Sequence, residues 1–427
     1  MSDRRRADRT EVFYLTSAPS PSQFARMRES LKDGVQHTTY GMAEASFKFH
    51  TLLQRGLLAD PTCHVHAVVG RGVTPRFYRG GWWSRVRESI SDRHTVDHLA
   101  FPNVRGLKQA WLALAFTLRA LAWRWRTRRA SNRVLVADAA YITALPGVLQ
   151  ALAGDSITKV AIFADVYDFM AEVEDAGRRG GGRFRQRARG FAAATYARLD
   201  AFVLLTEQMN DVVNLESKPY LVMEGLVDSS MELADNSIDA KTASFSVLYA
   251  GALRAEYGLA DLVDGFGALN APEIELHIYG GGDYAPELAK AASEDSRVQF
   301  HGPADLSHVV SAEMRAWLLV NPRPTSEEFV KYSFPSKNME YLASGTAALT
   351  TRLPGMPAEY YDHVLTIDAD GAPAITAALE QALAMPLAEL HRRGSAAREF
   401  VLSSKNEQVQ AARILELAKE VHDAATS

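Results

Sequence analysis

The residues best suited to chemistry lie in one stretch, NPRPTSEEFVKYSFPSKNMEYLASG, at 321–345. Phe334 and Pro335 end an extended segment, and Ser336 is a good amino cap for a helix that begins at Lys337. A lysine, a hydroxyl and backbone N–H groups then meet at one helix end, where the helix dipole favours an anion. Charge-assisted hydrogen bonds from such a group suit a diphosphate. Glu340, three residues on, shares the face of Lys337 and is within reach of ligand hydroxyls. Two glycine loops come earlier: Gly251 and Gly258 after an apolar run at 245–250, and Gly280, Gly281 and Gly282 after another at 275–279. Glycine lets backbone approach a bulky ligand closely. Asp283 and Tyr284 interrupt the second loop, so it is not the dinucleotide pattern G-x-G-x-x-G, and a nicotinamide enzyme is disfavoured.

Those loops need rigid elements behind them, and the chain supplies short β-rich runs alternating with longer helical patterns. Strands are expected at 11–16, 63–69, 134–137, 159–163, 202–205 and 220–223, then at 245–250, 275–279, 298–300, 316–320, 347–350 and 364–367. Helices are expected at 43–55, 107–127, 141–152, 184–198, 259–269, 284–293, 337–344, 372–384 and 407–421. Such alternation means parallel sheets with helices on both faces. Two successive sets give an α/β chain of two doubly wound, Rossmann-like domains. The acidic, polar stretch EGLVDSSMELADNSIDAKTA, at 224–243, carries no apolar period and reads as the hinge. It divides the chain into an amino-terminal domain at 1–223 and a second at 224–404, with a terminal helix at 405–427 packing back on the first. The Gly/Arg tract at 178–190 reads as a basic loop leading into a helix.

The run FPSKNMEYLASG, followed by TAALTTRLPGMPAEY, resembles the donor-site segment of GT-B glycosyltransferases of the family 4 type, especially bacterial cell-surface polysaccharide enzymes. TTYGMAEASFKFHTLL, with Gly41, resembles the family's amino-terminal glycine turn, and VMEGLVD its interdomain segment. LYAGAL, LHIYGGGD, VQFHGPAD and LVNPR resemble successive parts of its nucleotide-sugar domain. The resemblance is good over 220–365 and loose over 1–219. It implies a GT-B fold, with two domains facing across a cleft, and a hexosyltransferase-type enzyme working on a nucleotide-sugar. Lys337 and Ser336 would bind the donor diphosphate, and Glu340 the ribose hydroxyls. Gly251, Gly280, Gly281 and Gly282 would line the donor pocket, with His301 and Gly302 near the base. Asp165 or Asp168, in FADVYDF, would face the acceptor and serve as base if transfer inverts the anomeric centre; either could equally cap the following helix. His37, close to Gly41, is a further acceptor-side candidate.

The family commonly carries an Arg and a Lys where this chain has Ala252 and Tyr257, so Arg254 or Arg323 is expected to substitute. The paired-glutamate motif is also incomplete, because its first position falls on Tyr332. A GT-B sugar-nucleotide epimerase and an inactive GT-B binding protein are the competing readings. Neither a cofactor nor a metal is expected. The single Asp-x-Asp pattern, Asp368-Ala-Asp370, falls outside the donor segment, and His64 and His66 share a strand face with no further ligands in sight.

Composition sets the surroundings. The chain has 427 residues, 47% of them apolar and 23% charged, which excludes disorder and a small disulfide scaffold. With Cys63 as the only cysteine there is no internal disulfide, and a reducing cytoplasm fits. The longest apolar segment, 110–125, is broken by Arg119 and Arg124 and falls short of the ~20 residues of a membrane helix. Residues 1–220 hold 32 Lys/Arg against 21 Asp/Glu, whereas 221–427 hold 15 against 30. No nucleic-acid module accompanies the basic half. Expected partners are a nucleotide-sugar donor, a glycan or polyprenyl-linked acceptor, and an anionic membrane surface at the inner face of the plasma membrane. Within 107–129, membrane contact is expected at 123–129, and 111–122 is expected to be core.

Overall fold

The computed structural model describes residues 9–32, 37–154, 156–164 and 182–426. Two compact units divide the chain, one from 1–35, 43–224 and 407–427, the other from 36–42 and 225–406.

The first unit is built on an eight-stranded sheet. Its order is Tyr220–Val222, Ala201–Leu204, Thr158–Phe163, Asn132–Asp138, Thr10–Thr16, Cys63–Val69, His94–His98 and Val86–Ser89. All neighbours are parallel except the last pair. The central strands are continuous apolar runs because both faces are covered: Thr158–Phe163 is buried at every position. His94–His98 and Val86–Ser89 escape sequence reading because they are short, polar and half-exposed.

Two expectations are corrected here. The helix expected from 43 begins at His37 and runs to Leu57, so Gly41 lies inside a helix rather than in a turn. A lone glycine costs a helix only about 1 kcal/mol, which its neighbours absorb. The Gly/Arg tract is not a loop from Gly182 onward but the start of helix Gly182–Tyr196, in keeping with the good helix propensity of arginine.

The second unit holds a six-stranded parallel sheet ordered Val298–Gly302, Glu275–Tyr279, Ser246–Ala250, Leu318–Asn321, Ala347–Thr351 and Leu365–Ile367. Counted along the chain this is the order 3-2-1-4-5-6 of a doubly wound nucleotide-binding fold. Period-two alternation divides the core into two layers. Val247, Tyr249, Leu318, Val320 and Leu349 pack with helices Leu259–Gly267 and Ala372–Leu383. Leu248, Ala250, Leu319 and Ala348 face helices Ser336–Ser344 and Leu387–Ser404. Chain order reverses between strands Ser246–Ala250 and Leu318–Asn321, and ligands of such sheets bind outside the carboxyl ends at that point.

Candidate functional site

Three loops converge at the carboxyl ends of these strands, and glycine permits it. Gly280 has φ +137°, and a Cβ there would lie 1.8 Å from the Gly251 carbonyl oxygen; a Cβ on Gly282 would lie 2.0 Å from that of Leu253. Hydrogen bonds lock the same contact: Leu253 N–H donates to the Gly281 carbonyl at 3.0 Å, and Tyr284 N–H to that of Leu253 at 3.0 Å. Gly258, left-handed at φ +76°, sits where a Cβ would meet the Pro322 oxygen at 2.2 Å. Close packing of loop on loop thus accounts for Gly280, Gly282 and Gly258. This need is separate from lining a ligand pocket.

The helix Ser336–Ser344 is bolted to the strand ends from within. The buried Tyr341 hydroxyl accepts from the Ala250 N–H at 2.9 Å and donates to the Ala250 carbonyl at 3.2 Å. Asn321 Nδ2 donates to Asn338 Oδ1 at 2.7 Å, and Asn338 Nδ2 reaches Thr350 Oγ1 at 3.5 Å. Gly345, at φ +78°, ends the helix. The amino end differs from expectation. Pro335 holds the cap position, Ser336 is the first helical residue, and among the described residues no side-chain hydrogen bond caps this end. The ring of Pro335 holds its φ at −65° in that position, and the helix starts one residue earlier than expected. The Leu259–Gly267 helix, entered through Gly258, likewise has no side-chain cap. Two helix ends whose N–H dipoles are left to other partners therefore stand at the strand reversal, a disposition that suits phosphate oxygens.

Lys337 and Glu340 meet on the first turn, with Nζ 2.6 Å from Oε2 and both side chains part-buried. The pair presents a cation and a hydroxyl acceptor side by side. Arg323 comes to the same region from the loop after Leu318–Asn321. Its guanidinium lies 4.4 Å from the Tyr257 ring centroid and 5.4 Å from that of Phe329, and Nη1 reaches Ser333 Oγ at 3.4 Å. Burial lowers its pKa from the ordinary value. The buried Nε has no acceptor among the described residues, so a donor stands ready for an anionic group. Arg254 lies 5.9 Å from the Tyr257 ring but is paired with Glu256 at 3.1 Å. Both arginines thus gather at Tyr257, the position where the sequence resemblance leads one to expect a lysine.

His301 and Gly302 end the edge strand. His301 stacks on Tyr279 at 4.3 Å and on His277 at 5.2 Å, and burial together with His277 and His308 lowers its pKa. Asp370 is occupied by the backbone N–H groups of Thr325 and Ser326, at 2.8 and 3.1 Å, and Asp368 accepts from Thr366 Oγ1 at 3.1 Å. Asp165 and Asp168 lie outside the described residues, as does the side chain of His37.

Sequence reading missed a cluster at the corresponding reversal of the first unit, between Thr10–Thr16 and Asn132–Asp138. His50 Nε2 lies 3.4 Å from Asp138 Oδ2, with Tyr14 Oη 2.7 Å from His50 Nδ1 and Ser17 Oγ donating to Asp138 at 3.1 Å. Burial acts to raise the Asp138 pKa. The His50 hydrogen bond and charge, the Ala140 N–H and Ser17 outweigh it and hold the carboxylate below its usual range. No spacing motif links residues so far apart, so only folding reveals them. His64 and His66 alternate on one strand, with His66 bonded to Glu11 at 3.0 Å.

Residues 244–385 match the family model described as Glycosyl transferases group 1. The fold is that of a GT-B glycosyltransferase. Among solved structures, the sucrose-phosphate synthase of Thermosynechococcus elongatus is similar at 14% identity and TM-score 0.63, covering 97% of this chain and 100% of that one. Anabaena HepE in complex with UDP and glucose is similar at 11% identity and TM-score 0.60, covering 96% and 100%. The lipopolysaccharide outer core galactosyltransferase WaaB is similar at 11% identity and TM-score 0.58, covering 96% and 99%. No curated protein matches this chain by sequence.

Proposed function

We propose that this protein is a hexosyltransferase of the family 4 type. In this reading it moves a sugar from a nucleotide-sugar to a glycan or polyprenyl-linked saccharide during cell-surface polysaccharide assembly, on the cytoplasmic side of the membrane. The observation that carries the reading is the Lys337–Glu340 pair, 2.6 Å apart at a helix end with no side-chain cap among the described residues, tied to the strand reversal of a glycosyltransferase group 1 domain. HepE, solved with UDP-glucose, supports a nucleotide-sugar as donor.

The chemistry follows from charge. Cleavage of the sugar–phosphate bond leaves negative charge on a nucleoside diphosphate. Lys337, the helix N–H groups and Arg323 stabilise that charge as it grows, which is electrostatic catalysis of the leaving group. Glu340 accepts from the ribose hydroxyls, and His301 with Gly302 borders the base. We assign these roles to side chains rather than to a metal ion, so a chelator should leave turnover unchanged. On the acceptor side, Asp165, Asp168 and His37 keep the roles that the resemblance implies.

A thermal-shift panel of UDP, GDP, ADP and TDP with their sugars tests this, because a ligand that binds only the folded protein raises its stability. One base should stand out, its nucleotide-sugar should turn over slowly in water, and Lys337→Ala should reduce the shift at equal ligand concentration. No shift with any nucleotide would reject the donor site. Epimerised sugar without an added acceptor would favour an isomerase.

A further inference from the structure

The helix Leu107–Arg126 turns an apolar seam to solvent. Leu107, Trp111, Leu114, Leu118, Leu121 and Trp125 are each between 42% and 66% exposed, at alternating spacings of four and three. That spacing is a continuous stripe along one helix face, about 30 Å long. The opposite face, Leu112, Phe116, Ala120 and Trp123, is buried. The stretch 111–122, expected to be core, is therefore core on one face only, and Trp123, expected at a membrane, faces in. Trp82, 53% exposed, packs edge-on against Trp111 and widens the stripe.

Basic residues finish the surface. Between Asp97 and Asp138 the chain has eight Lys/Arg and no Asp or Glu. At the carboxyl end of the seam an open depression of about 440 Å³ is lined by Leu121, Arg124, Trp125, Arg128, Arg133 and Ser156. Arg128 stacks on Trp125 at 4.7 Å, Arg133 donates to Ser156 Oγ at 2.6 Å, and the buried Arg133 Nε has no acceptor among the described residues. The neighbouring Asp155 lies outside the described residues. No described lining residue is acidic.

We infer that this face seats the protein on an anionic phospholipid leaflet, with the apolar seam in the interface and a lipid phosphate among Arg124, Arg128 and Arg133. Trp and Leu beside arginine suit the boundary between acyl chains and headgroups. Guanidinium forks suit a phosphate. A second copy of the chain is the poorer occupant. Parallel pairing would set Arg124 beside Arg124, antiparallel pairing would bring it toward Arg105 and Lys108, and the helix has no acid to offset either. The helix lies on the membrane rather than through it, since no described helix is long and apolar enough to cross.

Co-sedimentation of the full chain with phosphatidylcholine vesicles, with and without phosphatidylglycerol, tests the inference. Binding should need phosphatidylglycerol and fall with salt. Arg124→Gln and Arg128→Gln should each weaken it about fivefold. Leu118→Ser with Trp125→Ser should abolish it while the unfolding temperature and the nucleotide response stay unchanged. Equal binding to neutral vesicles, or none to either, overturns the inference. So does a dimer that Leu118→Ser disperses. The surface and the donor site are tested separately, so either reading can fail without the other.

Discussion

Arg323 holds its guanidinium 4.4 Å from the centre of the Tyr257 ring, so a cation stands beside the position where the sequence resemblance leads one to expect a lysine. The ring orders a charge it does not bear, and such a contact is worth about 0.5–2 kcal/mol. Arg323→Ala should lower affinity for the preferred nucleoside diphosphate about tenfold, measured by titration calorimetry. Tyr257→Phe, which keeps the ring, should stay near wild type. Unchanged affinity in Arg323→Ala would show that the arginine only packs.

In the proposed donor site Lys337 is the stronger partner of the diphosphate. Truncating one side of a charged hydrogen bond costs about 1.5–3 kcal/mol, so Lys337→Ala should weaken diphosphate binding by roughly 10- to 150-fold. Glu340→Gln removes the charge that pairs Lys337. It should weaken binding of the nucleotide more than that of inorganic pyrophosphate, because only the nucleotide brings ribose hydroxyls. Equal losses for both ligands would move Glu340 from contacting the ligand to positioning Lys337.

The glycines make a stability prediction. Gly280→Ala forces a side chain into left-handed backbone and against the Gly251 carbonyl. The backbone conformation alone should cost about 1–3 kcal/mol, and the clash adds to it. Gly267, at the exposed end of its helix with nothing within 4 Å of a Cβ, should accept alanine with a gain of about 0.4–1 kcal/mol. Urea denaturation of the two variants should move in opposite directions.

Cys63 provides a pH test. Burial, with Asp60 and Glu11 adding and Arg93 opposing, pushes its thiol up to about 12 from 9.0. The folded state therefore holds this proton more tightly than the unfolded state. The stabilisation is fully present below pH 9 and is lost between 9 and 12. Cys63→Ala should flatten the fall in stability over that window relative to wild type. The native thiol should also resist a disulfide reagent at pH 8 and react once urea unfolds the chain. Rapid labelling of native protein would contradict this burial.

How much of this was legible from residues alone depended on range. Cys63–Val69 and Glu275–Tyr279 stand where their apolar runs put them, and Gly345 ends its helix as its position after LAS suggests. The start of the same helix slipped by one residue, because Ser336 and Pro335 can both serve a helix entry and local preference does not separate them. Leu107–Arg126 shows a deeper ambiguity. Its sequence is apolar on more than one face, and which face is core depends on what packs against it. Burial of Trp123 beside Phe13, with ring centroids 5.5 Å apart, answers that from a distant strand.

The sequence by itself determined the alternation of strands and helices, the glycine loops, and the lysine-led helix entry with its glutamate one turn on. Each rests on neighbours within a few residues, where backbone sterics and side-chain period act directly. Only the tertiary structure decided that Tyr341 ties this helix to Ala250, that Arg323 lies on Tyr257, and that Tyr14, His50 and Asp138 form one cluster. Those contacts join residues 36 to 91 positions apart. No local preference encodes them; they exist because parallel strands bring their carboxyl ends, and the loops that follow, to one edge of a sheet.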